Sequence, residues 1–243
     1  AEGGALSNSV GSVLDPIVSL RRRVRIAPGV TVRVSFSTMV APSREEVLGL
    51  AEKYRDAVTF DRAATLAWTQ AQVQLHHLGI GPDEAHLFQS LARRVLFLDR
   101  TLRPSADVLT RDTGGPAALW PHGISGDIPI VLVQIDDPDD VGIVRQLLRA
   151  HEYWRMKQLA VDLVILNERA PSYVQDLQSL LETLVRTSQS AAAHEGHAPH
   201  GSVYILRSDR ITPSQRDALL TVARAALSNR HGTLAEQITR DQR

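Results

Sequence analysis

The sequence predicts a mixed α/β chain whose second half is a small parallel sheet flanked by helices. Three observations carry that prediction. The runs 130–135 and 161–166 are nearly continuous Val, Ile and Leu, as strands covered on both faces must be. One helix-length segment, opened by Pro138 and Asp139, lies between them, which makes the right-handed strand–helix–strand crossover. The alternation then repeats through a helix, a strand at 203–206 and a final helix, giving βαβαβα.

Ahead of this unit the pattern is different. Residues 1–18, with Gly3, Gly4, Gly11 and Pro16, read as irregular. Leu20, Val24 and Ile26 share one parity, and Val30, Val32, Val34 and Phe36 alternate strictly after Ala27-Pro28-Gly29. Period two on both sides of a Gly-containing loop predicts an antiparallel β-hairpin. An isolated hairpin is marginal in water, so this one reads as the end of a truncated β-sandwich over 1–41.

Residues 42–101 predict an α-helical connector of three helices. Ser43 and Glu46 have capping-box spacing, and Val47, Leu50, Ala51 and Tyr54 form one stripe. A second helix from Asp61 uses Leu66, Trp68, Ala71, Leu75 and Leu78, with Gly79 at the C′ position. A third follows Pro82-Asp83 and packs through Leu87, Phe88, Leu91, Val95 and Leu98. Residues 102–128, rich in Gly and Pro, form a loop and boundary; 129–243 form the small three-stranded α/β domain. Within it Ala170-Pro171-Ser172 starts a helix buried through Val174, Leu177, Leu181 and Leu184. Thr212-Pro213-Ser214-Gln215 caps the last helix, read as continuing through Leu219, Leu220, Val222, Ala223 and Leu227.

Composition narrows the function. The 27 basic and 27 acidic residues cancel, so no global field draws nucleic acid or an anionic membrane. Absence of Cys excludes disulfides, thiolate metal sites and a Cys nucleophile. No apolar run reaches the roughly 18 residues that span a bilayer. Met39 is the first Met, and the abrupt first element reads as a segment cut from a longer polypeptide.

Three clusters are candidates for chemistry. Asp136-Asp137-Pro138-Asp139-Asp140 follows a strand and holds Asp-x-Asp at Asp137 and Asp139, oxygen donors for Mg²⁺ or Mn²⁺. Asp139 or Asp140 as the cap of the next helix, with the other negative charges favouring its N-terminus, accounts for the same residues without a ligand. His194, His197 and His200 offer imidazoles for Zn²⁺ or Ni²⁺, but Gly196 and Pro199 break any common helical face, so a solvated loop is the preferred reading. Trp120, His122, Ser125 and Asp127 lie in a Gly-rich stretch before a strand. They are a candidate binding set; as an acid/base triad they stand too close in sequence to presume the geometry. His76-His77 and His151-Glu152 read as surface or core-edge contacts without the HExxH pattern. Arg21-Arg22-Arg23 lacks the aromatic partners of a single-strand nucleic-acid platform.

The phrases LDPIVSLRRRVRIAPG, SREEVLGLAEKYRD, LAWTQAQVQLHHLGI, WPHGISGDIPIVLVQI and HEYWRMKQLAVDLVILNE resemble the cyclic β-1,2-glucan synthase family. More distantly they resemble cellobiose-type inverting glycoside phosphorylases. They are spread over 14–168, and the part after Ser172 resembles the same family. The resemblance implies a very large, membrane-bound bacterial parent. A glycosyltransferase region leads it, and β-sandwich and (α/α)₆-barrel modules of phosphorylase type follow. The phosphorylase acid is an Asp of a barrel motif not found here, so the resemblance carries no catalytic residue onto this chain. It implies a soluble, non-catalytic structural segment on the cytoplasmic side of an inner-membrane protein. Its partners would be neighbouring modules and β-1,2-glucan, with no cofactor, nucleic acid or membrane span. Two other readings stay open: a metal-dependent glycosyl-transfer unit using Asp137 and Asp139, and a glucan-binding module around Trp120.

Overall fold

A computed structural model describes residues 11–12, 19–97, 99–111, 113–170, 176–192 and 201–239. The chain divides into two compact units, 1–61 and 62–243.

In the first unit the turn of the predicted hairpin is present. Val30 N–H donates to Ala27 O at 3.2 Å, with Pro28 at the first corner and Gly29 (φ +75°) at the second, as a type II turn requires. Among the described residues no strand flanks the turn, and Leu20, Ile26, Val30, Val32, Val34 and Phe36 are exposed. Helix α1 (Arg44–Lys53) begins where its cap predicts: Ser43 Oγ accepts the Glu46 N–H at 3.2 Å. Its expected stripe is not buried; Val47, Leu50 and Tyr54 are half-covered and Ala51 is exposed.

Helix α2 (Ala57–His77) ends in a Schellman motif. Ile80 N–H reaches Leu75 O at 2.9 Å and Gly79 N–H reaches His76 O at 3.1 Å, with Gly79 at φ +61°. Ile80 then buries its side chain. Upstream the face departs from expectation, because Leu66 and Trp68 are exposed while Leu75 and Leu78 pack at the core margin.

The sheet has four parallel strands, β1 (Ile130–Ile135), β2 (Asp162–Asn167), β3 (Val203–Arg207) and β4 (Ala225–Ser228), in the order β3-β2-β1-β4. Val131 lies beside Leu163 on one side and Ala225 on the other, and Leu163 lies beside Val203. Successive side chains leave opposite faces of a strand. Val131, Val133, Leu163 and Ile165 therefore enter one core, and Ile130, Leu132, Val164 and Leu166 enter another.

The remaining helices are α3 (Pro82–Leu96), α4 (Ala106–Leu109), α5 (Gly142–Met156), α6 (Asp176–Ala192), α7 (Pro213–Val222) and α8 (Leu234–Thr239). Phe88 and Leu91 of α3, Leu147 of α5, Leu181 of α6 and Ile238 of α8 close the first core. Ala218 and Leu219 of α7, with Leu119 of a 3₁₀ segment Gly115–His122, close the second. Helix α3 is locked to α5 by Trp154 Nε1–H donating to Phe88 O at 3.0 Å. It therefore shares the core of the sheet. The side chains of Val174 and Leu98, and the Ala170-Pro171-Ser172 helix start beyond Ala170, fall outside the described residues.

The predicted three-stranded unit needs correction: the sheet has a fourth strand. Helix α7 starts as expected, with Thr212 and Gln215 capping one another reciprocally, but it stops at Val222. Leu227 sits at helical spacing from Leu219, Leu220 and Ala223, which disguises the four-residue strand. Tertiary pairing decides the matter. Arg224 N–H donates to Ile130 O at 2.8 Å, and the otherwise open edge of β1 gains a ladder partner.

Candidate functional site

From β1 the chain winds outward through β2 to β3, then returns to the far side of β1 for β4. Such a reversal leaves a crevice at the carboxyl ends of β1 and β4, where parallel sheets commonly bind ligands. The Asp136–Asp140 loop lies there. Asp136 accepts hydrogen bonds from Asn229 Nδ2 and Arg230 Nε, each at 2.8 Å, and is also paired with the terminal guanidinium nitrogen of Arg230. The Asn229 bond first, and Arg230 second, hold its carboxyl below the usual carboxylate range. Asn229 Nδ2 also donates to Asp140 at 2.9 Å.

Asp137 accepts the Asp139 N–H at 2.9 Å and caps the 3₁₀ turn Pro138–Asp140. The two Asp-x-Asp positions are thus joined through a side chain and a backbone amide. Among the described residues, no group of three or more His, Asp or Glu is arranged to hold a metal. Further along the same edge Glu168 accepts from Gln134 Nε2 at 2.8 Å and pairs with Arg216, while Arg207 pairs with Asp209 at 2.7 Å. Along the carboxyl edge Asp136, Glu168 and Asp209 each therefore have an arginine partner.

Sequence reasoning missed Asn229 and Arg230 because it missed β4. Once a strand ends at Ser228, the two residues after it occupy the switch point, and their polar character becomes a signal.

Trp120, His122, Ser125 and Asp127 lie on the segment that feeds the amino end of β1. They are therefore at the opposite edge of the sheet from Asp136. Leu119 and Ile124 are fully buried in the second core and pin the segment on both sides of Trp120. The Trp120 indole Nε1–H donates to Ser125 O at 3.2 Å, and Ser125 Oγ accepts the Asp127 N–H at 3.2 Å. Gly126 has φ +80°, and a Cβ there would lie 2.7 Å from Pro116 Cβ, so this close approach needs glycine. His122 Nε2 is buried with no hydrogen-bond partner. It makes no described bond to Ser125 or Asp127, so the structure brings Trp120 and Ser125 together without assembling a triad.

Two buried polar groups stand at the entry to β2. His151, read from sequence as a surface or core-edge contact, is buried in α5, and its Nε2 lies 2.9 Å from Val161 O. Burial lowers its pKa to about 4, with the charge of Arg155 acting in the same direction against the opposing Val161 bond. Neutral imidazole can donate that nitrogen's hydrogen to the carbonyl. Asp162 accepts the Ser202 N–H at 2.8 Å; burial raises its pKa, and that bond opposes the shift. Beside it Gly201 (φ +86°) passes so close to Val161 that a Cβ would lie 2.0 Å from the carbonyl oxygen. His194, His197 and His200 lie outside the described residues.

Comparison with known proteins defines the class first. Residues 1–57 match the supersandwich domain of glycosyl hydrolase 94, which makes the chain similar to carbohydrate-active enzymes of that type. Along 238 residues, 98% of its length, it is 41% identical to the cyclic beta-(1,2)-glucan synthase NdvB of Rhizobium meliloti (strain 1021). The resemblance read from the sequence thus extends through the parallel sheet to the C-terminal helices, along which the chain is similar to one stretch of that synthase. It spans 8% of the length of that relative. Among the described residues no helix is long and apolar enough to cross a membrane.

Proposed function

We propose that this chain is a non-catalytic structural segment of a bacterial cyclic β-1,2-glucan synthase-like enzyme, holding neighbouring modules of the same polypeptide in position. In this reading residues 1–41 close a β-sandwich, with 20–26 and 30–36 paired as a hairpin inside it. Residues 42–101 carry the chain onward to the sheet, whose core α3 already shares. Residues 102–128 form the boundary that leads into the α/β domain at 129–243. The parent would work on the cytoplasmic side of an inner membrane, and its glycosyl-transfer and phosphorylase-type activities would reside in other modules.

One observation carries the reading. Three carboxylates of the acidic loop at the switch point are engaged by the fold itself: Asp136 by Arg230 and Asn229, Asp140 by Asn229, and Asp137 by a backbone amide. A divalent cation would have to displace a guanidinium to gain Asp136 as a ligand. Paired edge charges of this kind fix loops and strand ends.

The test is direct. The purified chain is incubated with a sugar-nucleotide donor or with β-1,2-glucan and phosphate, with and without Mg²⁺ or Mn²⁺, and its melting temperature is followed in parallel. The scaffold reading expects no turnover and no cation-dependent rise in melting temperature. Turnover that disappears in Asp137→Asn would replace it with the metal-dependent glycosyl-transfer reading.

A further inference from the structure

The three Trp side chains have different surroundings. Trp154 is 1% exposed with its indole N–H satisfied by Phe88 O, so it is core. Trp68 and Trp120 are each 65% exposed, yet only Trp120 has its polar edge tied to the protein, through Ser125 O. The segment carrying Trp120 is also held on either side by buried Leu119 and Ile124. Its ring can neither withdraw into the core nor swing freely. An immobilised aromatic face in water, with its hydrogen-bonding edge already engaged, loses little conformational entropy when it is covered.

We propose that Trp120 is the platform of a surface subsite for a β-1,2-linked glucan chain, with Ser125 and Asp127 as its polar rim. The proposal rests on the reading that the parent enzyme handles this glucan, as the name of its relative states. A pyranose presents an apolar C–H face that stacks on an aromatic ring, while its equatorial hydroxyls need polar partners at the ring's edge. Both rim side chains are exposed on the same loop. Ser125 Oγ accepts one backbone N–H and keeps its own hydrogen to donate. The Asp127 carboxylate can accept from a pair of hydroxyls. The subsite holds glucan at the amino edge of the sheet, away from the paired charges at the carboxyl edge. It binds without catalysing.

Calorimetric titration of the full chain with short linear β-1,2-linked glucose oligomers tests the subsite, with β-1,4-linked oligomers as the comparison. Saturable binding is expected. Trp120→Ala should weaken it about tenfold or more, as truncating a central aromatic anchor does. Trp120→Phe, which keeps a stacking face, should retain part of the affinity, and Trp68→Ala should retain all of it. Asp127→Asn should weaken binding several-fold. No measurable binding, binding indifferent to Trp120→Ala, or equal affinity for the β-1,4 oligomers overturns the proposal. Circular dichroism of each variant separates lost binding from lost folding. Turnover without Trp120-dependent binding sinks both this subsite and the scaffold reading; binding without turnover supports both. Turnover with binding sinks the scaffold alone, and neither turnover nor binding sinks the subsite alone.

Discussion

Residues 30–36 and 130–135 are both good strand formers, yet only the second run is a strand. Val30, Val32, Val34 and Phe36 alternate with polar residues and lie exposed, whereas Ile130 to Val133 are fully buried with ladder partners on both sides. The difference teaches that β-propensity describes fitness for a half-buried surface and does not create that surface. The run at 130–135 has its partners within the chain: β2, β4 and two layers of helices. The first run has a well-formed turn at Pro28-Gly29 and no described ladder. An alternating strand needs one apolar cover, and a continuous one needs two. The chain meets the more demanding requirement and leaves the lesser one open.

The largest expected effect separates the two runs by mutation. Leu132→Ala should destabilise the chain by roughly 2–5 kcal/mol, since it removes a fully buried side chain from a filled core. Val32→Ala should change the same denaturant midpoint by less than about 0.5 kcal/mol. An equal cost at both positions would show that residues 30–36 are buried in solution and would erase the comparison.

Acid should act on the second unit through His151. Its folded pKa of about 4 lies below the ordinary imidazole value of 6.5, so the unfolded chain takes up this proton first as pH falls. The stability present above pH 6.5 is therefore lost progressively down to about pH 4, in total on the order of 3 kcal/mol. Chemical denaturation across that window should show the fall. His151→Gln, which keeps a donor near Val161 O, should flatten it. An unchanged pH slope in that variant would assign the acid sensitivity to carboxylates instead.

Smaller effects probe the local signals. Gly79→Ala should cost about 1 kcal/mol, because φ +61° is unfavourable for an L side chain while open space surrounds the new methyl. Asp137→Ala should cost about 0.5–1 kcal/mol through the lost cap and should leave the melting temperature as indifferent to Mg²⁺ as the parent chain. A cation effect present in the parent and absent in this variant would make Asp137 a ligand.

These contrasts mark how much could be read in advance. Capping residues announced themselves, because Ser43, Thr212 and Gln215 act on amides two or three positions away. The Gly79 stop did so for the same reason. Phe88, Leu91 and Val95 were legible as one buried face, but that their partner would be the helix of the βαβ crossover was not. Of the site, the acidic loop was visible as a cap, but the sequence placed that cap at Asp139 or Asp140 where Asp137 supplies it, and Trp120 was visible only as one member of a candidate binding set. Asn229 and Arg230, which hold Asp136 from 93 and 94 positions away, left no local trace.

By itself the sequence determined the parallel βαβ core, since two nearly continuous apolar runs joined by an amphipathic helix have few other ways to remove both faces from water. It also determined helix starts and stops, which depend on neighbours along the chain. Only the tertiary structure decided that Ala225–Ser228 is a strand, that Asp136 of the acidic loop already has an arginine partner, and that Trp120 stands in solvent with its indole N–H tied to Ser125 O. Each of those depends on which distant backbone or side chain arrives alongside, a matter of packing that no local period encodes.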